Sequence, residues 1–143
     1  MNSKYELVIK TGQDLSGELY EALDKKAGTH YSAKVSYISK NEAIFLHEKD
    51  FLSAFNHPSI LKYIDYVPNF HDRRLIITEF ASKGTLNRIL KIKPNARKEI
   101  GWNSTTKLIN IYGIASAMSF LHSNDIILRN LNPNNIVLDD DLH

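Results

Sequence analysis

Leu128-Arg129-Asn130-Leu131-Asn132-Pro133-Asn134-Asn135 is the stretch on which the reading of this chain turns. Asparagine side chains compete for backbone hydrogen bonds and proline lacks an N–H, so the segment is a loop rather than a helix or an inner strand. Short apolar runs flank it, and Ile126 to Leu138 therefore reads as a small hairpin around an asparagine-rich turn. Asp139-Asp140-Asp141, just beyond, reads as a solvated acidic turn rather than a metal site.

Toward the N-terminus, Ser104 to Asn124 has helical spacing: Leu108, Ile111, Ala115 and Met118 recur every three or four residues, with Ile114 and Leu121 beside them. This apolar face is broad enough to require a packing partner. Asn103-Ser104-Thr105 has the form of a glycosylation sequon, but it reads better as the polar start of that helix. Lys91 to Gly101 carries Lys91, Lys93, Arg97 and Lys98 around Pro94 and reads as a solvated connection. Lys83-Gly84-Thr85 breaks the chain before a short helix around Leu86 to Leu90.

The first part of the chain reads as strands. Tyr5 to Lys10, Glu18 to Ala22 and His30 to Tyr37 are separated by the turns Thr11 to Gly17 and Lys25 to Thr29, which predicts three sequential antiparallel strands. In the third, Tyr31, Ala33, Val35 and Tyr37 alternate onto one face. Ser39-Lys40-Asn41-Glu42 is a capping box that opens a helix running to about Phe55, which His57-Pro58 then closes. Ile44, Phe51, Leu52 and Phe55 define its apolar face, and Glu48 falls within it. A carboxylate there needs a partner, or else sits at the edge of the stripe in solvent. Ile60 to Val67 and Arg74 to Phe80, joined through Pro68 to Asp72, complete five strands around one helix.

The chain has 143 residues, 43% hydrophobic and 24% charged, which suits one compact globular domain. Eighteen Lys and Arg against sixteen Asp and Glu leave a net charge of +2, too balanced for a nucleic-acid or membrane-surface partner. The absence of cysteine excludes disulfides, thiolate metal sites and Cys nucleophiles, and with no apolar leader or spanning segment the expected location is cytoplasmic. The six histidines, at 30, 47, 57, 71, 122 and 143, show no metal-ligand spacing and read as structural.

In this order the segments resemble a protein kinase domain. Gly12-Gln13-Asp14-Leu15-Ser16-Gly17-Glu18-Leu19 matches the family's glycine-rich loop at its first and third glycines, with Asp14 at the second. Tyr31-Ser32-Ala33-Lys34 stands where the family has V-A-I-K, and Glu48 stands where it has the helix glutamate. Leu75 to Phe80 resembles the strand that runs into the hinge, Gly84-Thr85-Leu86 the start of the next helix, and Leu128 to Asn135 the catalytic loop. The Pro133 context and the Gly-Thr-Leu segment are similar to Ser/Thr kinases, including the tyrosine-kinase-like group.

The resemblance implies an α+β fold: residues 1–80 as a small lobe with a five-stranded antiparallel sheet and one regulatory helix, and 81–143 as the hinge, first helices and catalytic-loop hairpin of the large lobe. The Asp-Phe-Gly motif and activation loop are expected to lie beyond it. It also implies ATP and Mg²⁺ as ligands. The nucleotide would meet Gly12, Gly17, Leu19, Ala33, Lys34, Glu48, the gatekeeper Thr78, and backbone groups from Glu79 to Ala81, and the metal would meet Asn135.

Two charges of the family's chemistry are replaced. Asn130 stands at the proton-accepting aspartate and Asn132 at the lysine, while Arg129 is kept. Asp14 adds a negative charge facing phosphate, so ATP binding is expected to be weak or absent. The leading reading is a catalytically inactive, pseudokinase-like module acting through a protein partner. The alternatives are a truncated copy of an active Ser/Thr kinase and a structural module that binds no nucleotide.

Overall fold

The computed structural model describes residues 3–37 and 42–143. Two compact units are present, one of residues 1–56 with 61–80, the other of residues 57–60 with 81–143.

The first unit is a five-stranded antiparallel sheet with one helix. Strands β1 (Tyr5–Gln13), β2 (Glu18–Asp24) and β3 (Thr29–Tyr37) are followed by helix α1 (Glu42–Ala54) and strands β4 (Tyr63–Phe70) and β5 (Arg73–Thr78), in sheet order β1-β2-β3-β5-β4. The capping box expected before α1 includes Ser39, Lys40 and Asn41, which lie outside the described residues. The β4–β5 connection is tighter than the sequence predicts. Buried Phe70 carries β4 past Pro68, a register irregularity absorbs the proline on this edge strand, and His71 and Asp72, with φ of 50° and 61°, make the turn.

Strand pairing divides the sheet into two faces. Tyr5, Ala22, Ala33, Val35, Phe70, Leu75 and Ile77 form a core on one of them. Tyr37, expected on that face, is exposed at the end of β3. On the other face Ile76 packs against Phe45 and Leu52 of α1, with Tyr63 and Tyr66 alongside. The buried stripe of α1 is thus centred on Phe45, one residue from the expected Ile44, which is 54% exposed. A shift of one residue turns the helix by roughly 100°, enough to exchange the inner and outer positions.

In the second unit, β6 (Gly84–Thr85) leads into α2 (Leu86–Lys91), then α3 (Pro94–Glu99), α4 (Ser104–Ser123) and β7 (Val137–Leu138). Pro94 starts α3, so the basic stretch read as a connection is in part a helix. Asn103 caps α4, its side chain accepting from the Thr106 N–H at 3.0 Å. Ile89, Trp102, Leu138 and Leu142 form the core.

Two expectations are corrected in this unit. The apolar runs of the tail do not pair with each other: β7 pairs antiparallel with β6 across more than fifty residues, as Gly84 with Leu138 and Thr85 with Val137. The broad face expected of α4 is covered only in part: Leu121 is buried and Ile114 and Met118 are half-buried, but Leu108 and Ile111 are 66% and 63% exposed, and polar Thr106 and Asn110 take the inner side toward the helix start. Asn110 Nδ2 donates to the carbonyls of Leu142 and Thr106 at 2.7 and 2.8 Å. Among the described residues no helix is long and apolar enough to cross a membrane.

Candidate functional site

The first unit gathers charged side chains on the α1 face of the sheet. Residues directly opposite in antiparallel strands share a face. Lys34 on β3 pairs with Leu19 on β2 and Ile76 on β5, and Ser32 pairs with Thr78, so Leu19, Lys34 and Thr78 lie on the side covered by α1. Ala33 does not join them. It is fully buried in the opposite core with Val35, as strand alternation requires for a neighbour of Lys34, and it is Ser32 that shares the α1 side with Lys34.

Glu48 lies between Phe45 and Leu52 on the inner stripe of α1 and accepts from Lys34 Nζ at 2.6 and 2.7 Å through its two oxygens. Lys34 is 12% exposed and carries a second partner, Asp14 Oδ2, also at 2.6 Å. A largely buried ammonium is tolerated when opposite charges surround it.

Asp14 also builds the glycine-rich loop. Its Oδ1 accepts from the Ser16 N–H at 2.8 Å and the Gly17 N–H at 3.0 Å, while its own N–H donates to the Gly17 carbonyl at 2.9 Å. The buried Ser16 hydroxyl lies 2.8 Å from Asp14 Oδ1 and 3.0 Å from Glu48 Oε2, so one proton is shared between two carboxylates. Burial acts to raise the Asp14 carboxyl, but the Lys34 hydrogen bond and charge, with the donors of Ser16, hold it below the usual carboxylate range.

Ser16 was not among the residues the sequence singled out. Its signal was the Asp-Leu-Ser-Gly pattern of an Asx turn. Gly17 is required sterically, since an added Cβ would overlap the Val35 carbonyl oxygen, whereas at Gly12 it would meet only Leu19 Cδ1 at 3.8 Å. Thr78 is buried at the end of β5. Glu79, next to it, has its N–H committed to the Lys62 carbonyl at 3.0 Å, and its carboxylate accepts from the Lys62 N–H at 2.7 Å.

The second unit holds the asparagine loop. Asn130 Oδ1 accepts from Asn132 Nδ2 at 2.8 Å, and the Asn130 carbonyl accepts from Asn135 Nδ2 at 2.8 Å. Asn132 Oδ1 in turn accepts from the Asn134 N–H at 2.9 Å. The loop is anchored to the start of α2: the N–H groups of Leu86 and Asn87 donate to the Ile136 and Pro133 carbonyls, and Asn87 Nδ2 donates to Asn134 Oδ1 at 2.7 Å. Ala81, in the same unit, accepts from the Gly84 N–H.

In the first unit the groups that would meet a triphosphate are already engaged. The Lys34 ammonium already faces two carboxylates, and the loop N–H groups of Ser16 and Gly17 are turned onto Asp14. For a hard cation, Asn135 keeps an amide oxygen of the right chemistry, since its Nδ2 makes the loop hydrogen bond. Asp139, Asp141 and His143 place one ligand atom each within 4.8 Å of the others, all exposed. Asp139 Oδ1, however, accepts from the Asp141 and His143 N–H groups and so closes the terminal turn.

Comparison with known proteins agrees with this architecture. The protein kinase domain pattern matches residues 5–143. The chain is 33% identical over 115 residues to the inhibitor of nuclear factor kappa-B kinase subunit alpha of Gallus gallus, covering 77% of this chain and 15% of that protein. It is 30% identical over 143 residues to Aurora kinase B of Drosophila melanogaster, covering 94% and 41%. It is also 29% identical over 140 residues to serine/threonine-protein kinase 10 of Danio rerio, covering 96% and 14%. The chain thus spans less than half the length of each of these relatives.

Proposed function

Because this chain belongs to the protein kinase domain family, we propose that it serves as a binding or regulatory module for another protein and does not transfer phosphate. The observation that carries this reading is the amide network at Asn130. A base must offer a charged or basic acceptor to the substrate hydroxyl, and the Asn130 amide has none and is hydrogen-bonded to Asn132, which itself replaces a lysine. The ligand set of the family, ATP with Mg²⁺, is met by Lys34 and Glu48 in kind, but Asp14 opposes the phosphates, so nucleotide binding is weak. When bound, ATP supplies the transferable phosphoryl group. This chain's residues hold the loop and the ion pair.

A second reading, a Ser/Thr phosphotransferase close to activity, is supported by the Lys34–Glu48 pair at 2.6 Å, which the family needs for transfer. Phosphoryl transfer from Mg–ATP to a generic Ser/Thr substrate, measured for the intact protein and for Asn130→Asp/Asn132→Lys, separates the two. The module reading expects background transfer from both. Transfer by the unaltered protein overturns it, and transfer gained only on restoration supports the second reading.

A further inference from the structure

The geometry points to Asp14 as an intramolecular substitute for a phosphate: it occupies the ammonium of Lys34 and the N–H groups of the glycine-rich loop, and locks the Lys34–Glu48 pair without a nucleotide. The inference rests on the proposed non-catalytic reading and deepens it, by naming what fills the anion position of that site. An exposed ion pair contributes little and would carry no such role. This one differs in three respects.

First, Lys34 is the most enclosed member, 12% exposed, and Asp14 reaches it at 2.6 Å from a loop that the same carboxylate folds. Second, Asp14 Oδ1 collects the Ser16 N–H, the Ser16 hydroxyl and the Gly17 N–H, three donors converging on one oxygen as they would on an anion. Third, the shared Ser16 proton joins the Asp14 carboxylate to Glu48 on α1, so loop and helix are coupled through the protein's own groups. Two carboxylates against one ammonium give the cluster a formal net charge of −1. Such a site repels a polyphosphate and is indifferent to an uncharged nucleoside. The module therefore holds its ion-paired arrangement whatever the nucleotide concentration.

The test is equilibrium binding of two probes, Mg–ATP and adenosine, to the intact protein, Asp14→Asn and Asp14→Gly. Asp14→Asn retains the oxygen that folds the loop and removes only the charge, and Asp14→Gly restores the residue usual in the family. The expected result is a gain of about tenfold or more in Mg–ATP affinity for both variants, with adenosine affinity unchanged within about twofold. Without ligand, each variant should melt below the unaltered protein, and Mg–ATP should recover part of the loss. Variants that bind Mg–ATP no better than the unaltered protein overturn the inference, as does an unaltered protein that binds Mg–ATP more tightly than adenosine. Neither outcome depends on phosphoryl transfer, so the non-catalytic reading stands or falls separately.

Discussion

The cluster at Lys34 and the loop at Asn130 are both tied up in hydrogen bonds with their own neighbours, but in opposite ways. Around Lys34 the charges of the family are kept and one more is added, Asp14, which both folds its loop and pairs with the ammonium at 2.6 Å. Around Asn130 two charges of the family's pattern are replaced by amides while Arg129 stays, and the loop is held by contacts among Asn130, Asn132, Asn134 and Asn135. Folding a turn needs an acceptor at the right place, and an amide oxygen serves as well as a carboxylate. Accepting a proton needs basicity, and there it does not serve. On the proposed reading, the loop's fold and its proton-accepting chemistry are separable.

If the two regions differ in charge and not in structural integrity, their cores should be equally indispensable. Ile76→Ala in the first unit and Leu138→Ala in the second, each removing a side chain 1% exposed, are expected to cost about 2–5 kcal/mol by chemical denaturation. A negligible cost for Leu138→Ala alone would mean that the second unit is loosely formed.

The next contrast concerns the charges. Glu48→Gln leaves the largely buried Lys34 with one carboxylate, and since Glu48 is itself 33% exposed the cost is about 1–2 kcal/mol. Asn130→Asp keeps the oxygen that accepts from Asn132 and should change stability by no more than about 0.5 kcal/mol. Equal effects would remove the distinction drawn between the two regions.

The glycines sharpen the picture of the loop. Gly17→Ala must push the turn away from the Val35 carbonyl and should cost about 1–3 kcal/mol, while Gly12→Ala, which makes only an ordinary contact with Leu19, should stay within about 0.5 kcal/mol.

A smaller effect is expected in acid. The Asp14 carboxyl is held below its ordinary value of 3.8, so its contribution is complete above that pH and is lost as pH falls through the depressed folded-state value. Asp14→Asn should therefore flatten the acid limb of the stability profile. It should not abolish it, because Asp24, held low by the Ala27 and Lys26 N–H groups, follows the same sign.

Local patterns in the sequence carried much of this. Alternation and turn residues marked the strands, because alternate residues from Tyr5 to Ile77 form a core on one face of the sheet, and Asn103 marked the start of α4 through its cap. Alternation also bore on Ala33: a residue next to Lys34 in a strand must face the other way, and the resemblance to the family's motif obscured it. The choice between Ile44 and Phe45 depended on the shape of the pocket beside Ile76, which no helical period contains. The pairing of Val137–Leu138 with Gly84–Thr85 joins distant segments, and nothing local distinguishes it from a hairpin. The link from Asp14 through Ser16 to Glu48 is likewise tertiary, although the Asx turn within it was legible in four residues.

The most direct test of the claim that shape has outlived chemistry is phosphoryl transfer from Mg–ATP by the intact protein, with Lys34→Met as the reference. The account predicts that the two are indistinguishable from background. Transfer by the unaltered protein that Lys34→Met abolishes would contradict it.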